Sequence, residues 1–415
     1  MTIDTGNTAW VLASSALVLL MTPGLAFFYG GLVRSKNVGA MIMQSFTTIG
    51  IVGVIWVLWG YSLAFGPTQG GIIGDLSWFG LKDVGVDPVP FYGGGTIPHQ
   101  AYMIFQAMFA IITPALITGA FADRMKFSAF VIFIVLWSTF VYCPIAHWVW
   151  AFDADGASGW IGKYGALDFA GGTVVHINAG VAALVAAWLV FGKRVRYGEE
   201  PMEPHNVPMV VLGAGLLWFG WFGFNAGSAL AANGQATNAF VVTNTATCAA
   251  LMSWVLMSWL FNKKPSIIGA ASGAVAGLVA ITPASGFVGP MPSVIIGLVA
   301  GALCFMAVQL INKLKIDDSL AVFGVHGVGG MWGALATGLF VGVGYGALPD
   351  GVSRGEQIWR QLVGIGATIG WSFIATTVIL LAIKMTIGLQ VKKEEEEAGL
   401  DVSLHGEPAY RMEEI

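Results

Sequence analysis

The chain has 415 residues, of which 56% are hydrophobic and only 10% charged, with a formal net charge of −4. A soluble domain carries about 25% charged residues, so this composition excludes a soluble globular protein and points to a polytopic membrane protein in a lipid bilayer. There is no basic stripe, which argues against nucleic acid as a partner, and 57 glycines and 16 tryptophans suit close helix packing and membrane interfaces.

Met1–Asn7 holds Asp4 and no Lys or Arg, whereas a signal peptide begins with a positive segment, so the chain is expected to start with a membrane helix whose N-terminus lies outside. Apolar spans are predicted at 8–32, 40–66, 98–121, 127–148, 169–192, 207–231, 238–261, 266–284, 292–312, 319–345 and 357–390. The predicted fold class is therefore all-α, with eleven transmembrane helices. An odd count puts the two ends on opposite sides. Arg34, Lys36, Arg124, Lys126, Lys193, Arg194, Arg196, Lys263, Lys264, Lys313, Lys315, Lys392, Lys393 and Arg411 fall in one set of loops and in the tail. Lys82, Lys163, Arg354 and Arg360 fall in the other set, and Lys384 lies within the last span. The positive-inside rule then predicts a multi-pass cell-membrane protein with the N-terminus outside and the C-terminus in the cytoplasm. Loops 67–97 and 149–168 are long enough to form an outer vestibule. The last span exceeds what a bilayer requires and is expected to tilt or project inward. The chain divides into a transmembrane domain, 1–390, and a cytoplasmic tail, 391–415, whose acidic run Glu394–Glu397 reads as a solvated stretch.

Spans 1–5 and 6–10 form two halves of five. Because five is odd, the halves are inverted relative to each other, leaving span 11 as a brace. Asp168 precedes His176 by eight residues, Asp318 precedes His326 by the same interval, and glycines follow both histidines. An ionisable residue inside an apolar span costs roughly 2.5–3.5 kcal/mol for the charged types and marks a functional site by default. Two at matching positions of an inverted repeat are expected to meet near the midplane. Each Asp reads most simply as an N-cap of its span. A metal site of His176, His326 and one Asp is conceivable, but each Asp stands two helical turns from its His, so they are not expected to converge on one ion. Cys143, Cys248 and Cys304 lie apart in apolar segments and read as packing residues. His99 and His147 fall near the outer face. With no nucleophile–base pair and no phosphate loop, the chain is not expected to be an enzyme, and no metal or cofactor is implied.

Three aromatic stretches border the outer side: Phe105 to Phe109 in span 3, Tyr142 to Trp150 in span 4 and Trp218 to Ser228 in span 6. Aromatic faces attract a desolvated cation by about 2 kcal/mol or more, and a Ser hydroxyl accepts from an N–H donor. Phe side chains beyond such a site would exclude water and hydrated ions.

Phe27 to Asn37, Ala122 to Lys126, Asp168 to Gly180, Trp218 to Ser228 and Phe323 to Gly329 together resemble the ammonium transporter family, Amt/Mep/Rh, and most of all its bacterial and archaeal Amt branch. The resemblance runs through nearly the whole chain and implies an eleven-helix homotrimer with one pore per subunit. It implies that Phe109, Trp150 and Ser228 form an external ammonium site with Asp168 as the nearby acidic residue. Phe109 and Phe224 would be the stacked gate, and His176 and His326 the paired pore histidines. The tail stretch with Gly399, Leu400, Asp401, His405, Gly406, Glu407 and Tyr410 resembles the family's cytoplasmic regulatory tail. A PII-type signalling protein at the cytoplasmic pore exits is the implied partner. Some relatives carry Asp five residues before the second His, where this chain has Ala321.

These residues predict a transporter that takes NH4+ (or methylammonium) from outside, deprotonates it and passes NH3, with H+, through an apolar pore. A bare cation in hydrocarbon costs far more than a neutral amine. Two rivals remain open at this point. One is an ammonium sensor signalling through its tail, against which stands the lack of a recognisable signalling domain. The other is an ion-coupled carrier of a larger solute, against which stands the scarcity of charge within the spans.

Overall fold

A computed structural model describes residues 1–200 and 202–410; Arg411 lies outside them. Among the described residues, nine helices are long and apolar enough to cross a membrane: α1 (Thr5–Leu32), α2 (Ser35–Phe65), α3 (His99–Ala120), α4 (Phe127–Trp150), α5 (Gly172–Val190), α6 (Val207–Gly227), α7 (Gly234–Asn262), α9 (Pro290–Lys313) and α11 (Arg354–Thr386). Two shorter segments fall at the places of predicted spans 8 and 10. The first, α8, is the apolar helix Ile267–Ile281. The second, α10, starts as a π-turn, Phe323–Gly327, and continues as Val328–Phe340. At 1.5 Å per residue the 15 residues of α8 reach only about 22 Å, less than the ~30 Å of a hydrocarbon core.

Polar residues at the breaks start the helices. Asp4 caps α1 by accepting from Asn7 N at 2.7 Å, and Asn206 caps α6 from Met209 N at 2.9 Å. Asn233, Ser266 and Ser353 cap α7, α8 and α11 in the same way. The predicted outer loops hold two-residue hairpins, Thr68–Gln69 with Ile73–Gly74 and Phe152–Asp153 with Gly156–Ala157, which leave the fold all-α.

The two halves interlock, with α1 lying along α6, α5 against α10, and α7 between α8 and α9. Glycine makes the first contact possible. A Cβ on Gly213 would stand 2.2 Å from the backbone N of Phe28, and one on Gly31 would stand 2.7 Å from the carbonyl oxygen of Asn206. The last helix, α11, packs across α4, α5 and α10. Its Lys384 donates to the carbonyl of Val190 at 2.9 Å, meeting a free acceptor at the end of α5.

The tail departs from two expectations. The last helix ends at Thr386 rather than near 390, and Gly388, with φ +75°, turns the chain back under the bundle. There Lys126 N donates to Leu389 O at 2.8 Å and Val391 N to Arg124 O at 3.1 Å. Glu394–Glu397 is not uniformly solvated, because it forms the short helix α12, Lys393–Ala398, in which Glu394 and Glu397 are exposed but Glu396 is buried. Helical periodicity turns one carboxylate of the four inward, where Val195 N donates to its Oε1 at 2.7 Å.

Candidate functional site

Both halves build their histidine turn alike. The Asp168 carboxylate accepts from the backbone N–H of Gly171, Gly172 and Thr173 at 2.8, 2.7 and 2.8 Å, and from the Thr173 hydroxyl. Asp318 accepts from Val322 N at 3.0 Å and Phe323 N at 2.8 Å. Five residues before each His the backbone is left-handed: Gly171 has φ +123° and Ala321 φ +58°. Glycine adopts this region freely, whereas an L-residue pays roughly 1–2 kcal/mol. At Ala321 the backbone thus carries strain. After that residue each chain enters a π-turn, Gly172–Ile177 or Phe323–Gly327, with the His inside it. Such turns concentrate at functional sites.

The glycines that follow bring the turns together. A Cβ on Gly180 would lie 2.3 Å from the backbone of Gly327, and one on Gly330 would lie 3.0 Å from the Cβ of His176. No larger residue permits this crossing. The rings of His176 and His326 stack with centroids 5.4 Å apart and planes at 26°, and their Nδ1 atoms are 3.3 Å apart. Trp221 stacks on His176 at 5.3 Å and is itself held by donating Nε1–H to the Thr282 hydroxyl at 2.8 Å. His176 Nε2 is buried without a protein partner.

Two cavities flank this pair. The first, of about 300 Å³, opens at the end carrying loops 67–97 and 149–168, and all four expected substrate residues, Phe109, Trp150, Asp168 and Ser228, line it. Trp150 donates Nε1–H to the Asp168 carbonyl at 2.9 Å and meets Phe109 edge to face at 5.8 Å. Ser228 donates its hydroxyl to Phe224 O at 2.8 Å, which leaves its oxygen lone pairs free to accept. The second cavity, of about 320 Å³, opens at the opposite, basic end and is lined by His326, Asp318, Tyr29, Ser258 and Gln309 among others. Between them Phe109 and Phe224 stack at 4.3 Å with planes at 34°, and Phe224 lies 6.0 Å from His176. Phe224 is fully buried and His176 is 1% exposed. His99 and His147 stand apart from this line. His99 Nε2 is 2.7 Å from Tyr61 Oη, while His147 bridges Ala64 O and Thr68 Oγ1 at 3.0 and 2.8 Å.

The tail residues reach the basic end of the bundle at several points. Asp401 accepts from Ala40 N at 2.8 Å, and Leu400 N donates to Asn37 Oδ1 at 2.8 Å. Gly399, with φ +103°, packs against Lys36, where a Cβ would meet the side chain at 2.6 Å. His405 stands edge to face with Phe127 at 5.2 Å, and Tyr410 Oη is 3.1 Å from His205 Nε2. Gly406 ends the last short helix, Leu400–His405, in a left-handed cap, followed by exposed Glu407.

Sequence reasoning missed a buried ionic cluster above the tail. Arg124 donates to Asp317 at 2.8 Å, while Arg194 reaches Asp317 at 2.8 Å and Asp123 at 3.5 Å; Arg34 joins Asp123 at 3.3 Å. Its members come from four loops, so no local pattern announced it. The only trace was the Asp317–Asp318 pair before span 10. Gln106 on α3 was also passed over, although it lines the first cavity.

The profile of the Ammonium Transporter Family matches residues 9–410. An ammonium transporter of Bacillus subtilis is 52% identical over 410 residues, covering 98% of each chain. Ammonium transporter Amt1 of Archaeoglobus fulgidus is 46% identical, covering 98% of this chain and 99% of its own. Among solved structures, the Mep2 of Saccharomyces cerevisiae superposes with a TM-score of 0.85 at 36% identity, covering 94% of this chain and 91% of Mep2. A protein described as a Sensor Amt Protein superposes with a TM-score of 0.89 at 32% identity, covering 96% and 98%. A single fold of apolar helices, matched over nearly its full length in sequence and in shape, places this chain in the ammonium transporter family.

Proposed function

We propose that the protein recruits NH4+ in the first cavity, deprotonates it at the aromatic constriction and conducts NH3 past His176 and His326 into the second cavity. The observation that carries this reading is the Nδ1–Nδ1 contact of 3.3 Å between two buried histidines that stand between two cavities. Aromatic faces of Phe109 and Trp150 attract the desolvated cation, and Ser228 accepts one of its N–H groups. Asp168 keeps its carboxylate on backbone donors and adds negative potential nearby. Beyond Phe109 and Phe224 a cation would lose its solvation without replacement, so the neutral amine is the species that passes.

The proton follows a separate step. With His176 in the Nδ1–H form donating to His326 Nδ1, His176 Nε2 offers a lone pair and His326 Nε2 an N–H. A proton taken up at His176 Nε2 lets Nδ1–H pass to His326, whose Nε2–H is released toward the second cavity. One proton enters and one leaves, and each ring ends in the other tautomer. We place the basic end in the cytoplasm, on the alternation of basic loops, and the protein in the cell membrane as a homotrimer. A PII-type protein at the basic end and regulation by the docked tail belong to the same proposal. The likeness to a structure described as a sensor favours one second reading, a sensor signalling through that tail.

Labelled methylammonium uptake into a transport-deficient cell separates the two: a transporter accumulates label, a pure sensor does not. Currents from reconstituted wild type, His176→Ala, His326→Ala and the double variant, with ammonium and then K+, test the pair. Loss of the ammonium current in each single variant is expected. Three variants that match wild type for both ions would reduce the pair to packing.

A further inference from the structure

We propose that Gln106 is a second hydrogen-bond acceptor for the ammonium ion, alongside Ser228, and sets the affinity of the outer site. The inference rests on the reading of the first cavity as the ammonium site. Gln106 sits on α3 three residues before Phe109, one helical turn away on the same face. It lines the same cavity as Phe109, Trp150 and Ser228. Its side chain is in a buried residue, 8% exposed, among neighbours that are almost all apolar.

The two ends of its amide are treated differently. Nε2–H donates to the Tyr102 hydroxyl at 3.2 Å, while Oε1 is buried with no protein partner. Tyr102 is in turn fixed by stacking on Tyr92, with centroids 3.9 Å apart and planes at 10°. The amide is therefore anchored through nitrogen and presents a carbonyl oxygen as its free end. Buried acceptors are normally paired, and an unpaired one calls for an explanation. Packing alone supplies none, since Leu or Met would fill this place on an apolar helix without leaving an acceptor unpaired.

A tetrahedral cation supplies the missing donor. Ammonium carries four N–H groups, and two acceptors stand in the lining of the cavity: Ser228, whose own hydrogen is committed to Phe224 O, and Gln106, whose buried Oε1 the ion would reach once the amide turns toward the space. Phe109 and Trp150 present aromatic surface to the same ion. Methylammonium, with three N–H groups, still serves both acceptors. K+ has none to give.

The test is uptake of labelled methylammonium into proteoliposomes, with ammonium as the competing ion, for wild type, Gln106→Met and Gln106→Glu. Met keeps the volume and removes the acceptor, whereas Glu keeps the acceptor. We expect Gln106→Met to raise the KM for methylammonium and the inhibition constant of ammonium by about ten-fold, the scale of one hydrogen bond to a charged group. Gln106→Glu should not weaken either. A Tyr102→Phe background separates binding from support: Gln106→Met must still raise KM there by a similar factor. Unchanged constants in Gln106→Met overturn the proposal, and so does an effect that vanishes once Tyr102 is Phe. If the wild type itself takes up no methylammonium, the reading of the cavity falls first, and that result is distinct from a Gln106 variant that transports with wild-type constants.

Discussion

At the scale of single residues, the proposed ammonium site in the first cavity asks aromatic rings to do what water does elsewhere. Trp150 has two parts in it: its ring faces the space beside Phe109, and its Nε1–H holds the Asp168 carbonyl at 2.9 Å. Trp150→Leu removes both. Loss of a desolvated cation–π contact of about 2 kcal/mol corresponds to roughly a thirty-fold loss of affinity, so the KM for methylammonium should rise by about that factor. The concentration dependence of labelled methylammonium uptake measures it, and a wild-type KM in the variant would mean the cation sits elsewhere. The residues of this line were largely legible because chemistry of an expensive kind is rare in apolar sequence. His176 and His326 stand out at equal distances from their aspartates. Gln106 did not, because one amide in an aromatic helix looks like any polar residue that finds a partner in the packing, and only the position of its unpaired oxygen marks it.

At the scale of elements, the spans were legible because hydropathy over twenty residues is a strong signal. The π-turns were not. Five or six residues such as Phe323–Gly327 are too few to separate their period from that of an α-helix. Yet those turns and the glycines after them decide how α5 crosses α10. Gly180 is the sharpest case, since a Cβ there would lie 2.3 Å from backbone atoms of Gly327, which cannot rotate away. Gly180→Ala must push the helices apart and with them the two imidazoles. Overpacking of this kind costs about 1–3 kcal/mol. The expected outcome is a lowered unfolding midpoint in detergent together with loss of the ammonium current, and more loss of current than the stability change explains. A variant with wild-type current would show that the histidine contact does not depend on this crossing.

At the scale of the whole molecule, the basic end is tied together by charges that no local pattern could pair, because Arg34, the Asp123–Arg124 pair, Arg194 and Asp317 lie in four separate loops. Asp317 holds two buried guanidinium groups, so Asp317→Ala leaves Arg124 without a carboxylate partner and Arg194 with only its 3.5 Å contact to Asp123, and should cost about 3–5 kcal/mol. A thermal midpoint equal to wild type would mean the cluster is not structural. The tail closes over this cluster through Glu396, the one inward residue of a run that reads as solvated. Burial pushes its carboxyl above the ordinary value of 4.5; the neighbouring Asp123 pushes it further, and the Val195 N–H, Arg34 and Arg124 oppose the shift without cancelling it. The docked tail therefore binds this proton more tightly than the free tail does. Its contribution to docking is fully present below about 4.5 and is lost as pH rises from there through the raised value. Above that range Glu396 is ionised in both states and the contribution is flat. Protease cleavage of the tail, followed from acid to neutral pH with an enzyme active throughout, should accelerate over that window in wild type. Gln can still accept from Val195 N, so Glu396→Gln should flatten the profile without loosening the tail at neutral pH. Cleavage that slows as pH rises, or an identical slope in Glu396→Gln, would assign the pH response to another group.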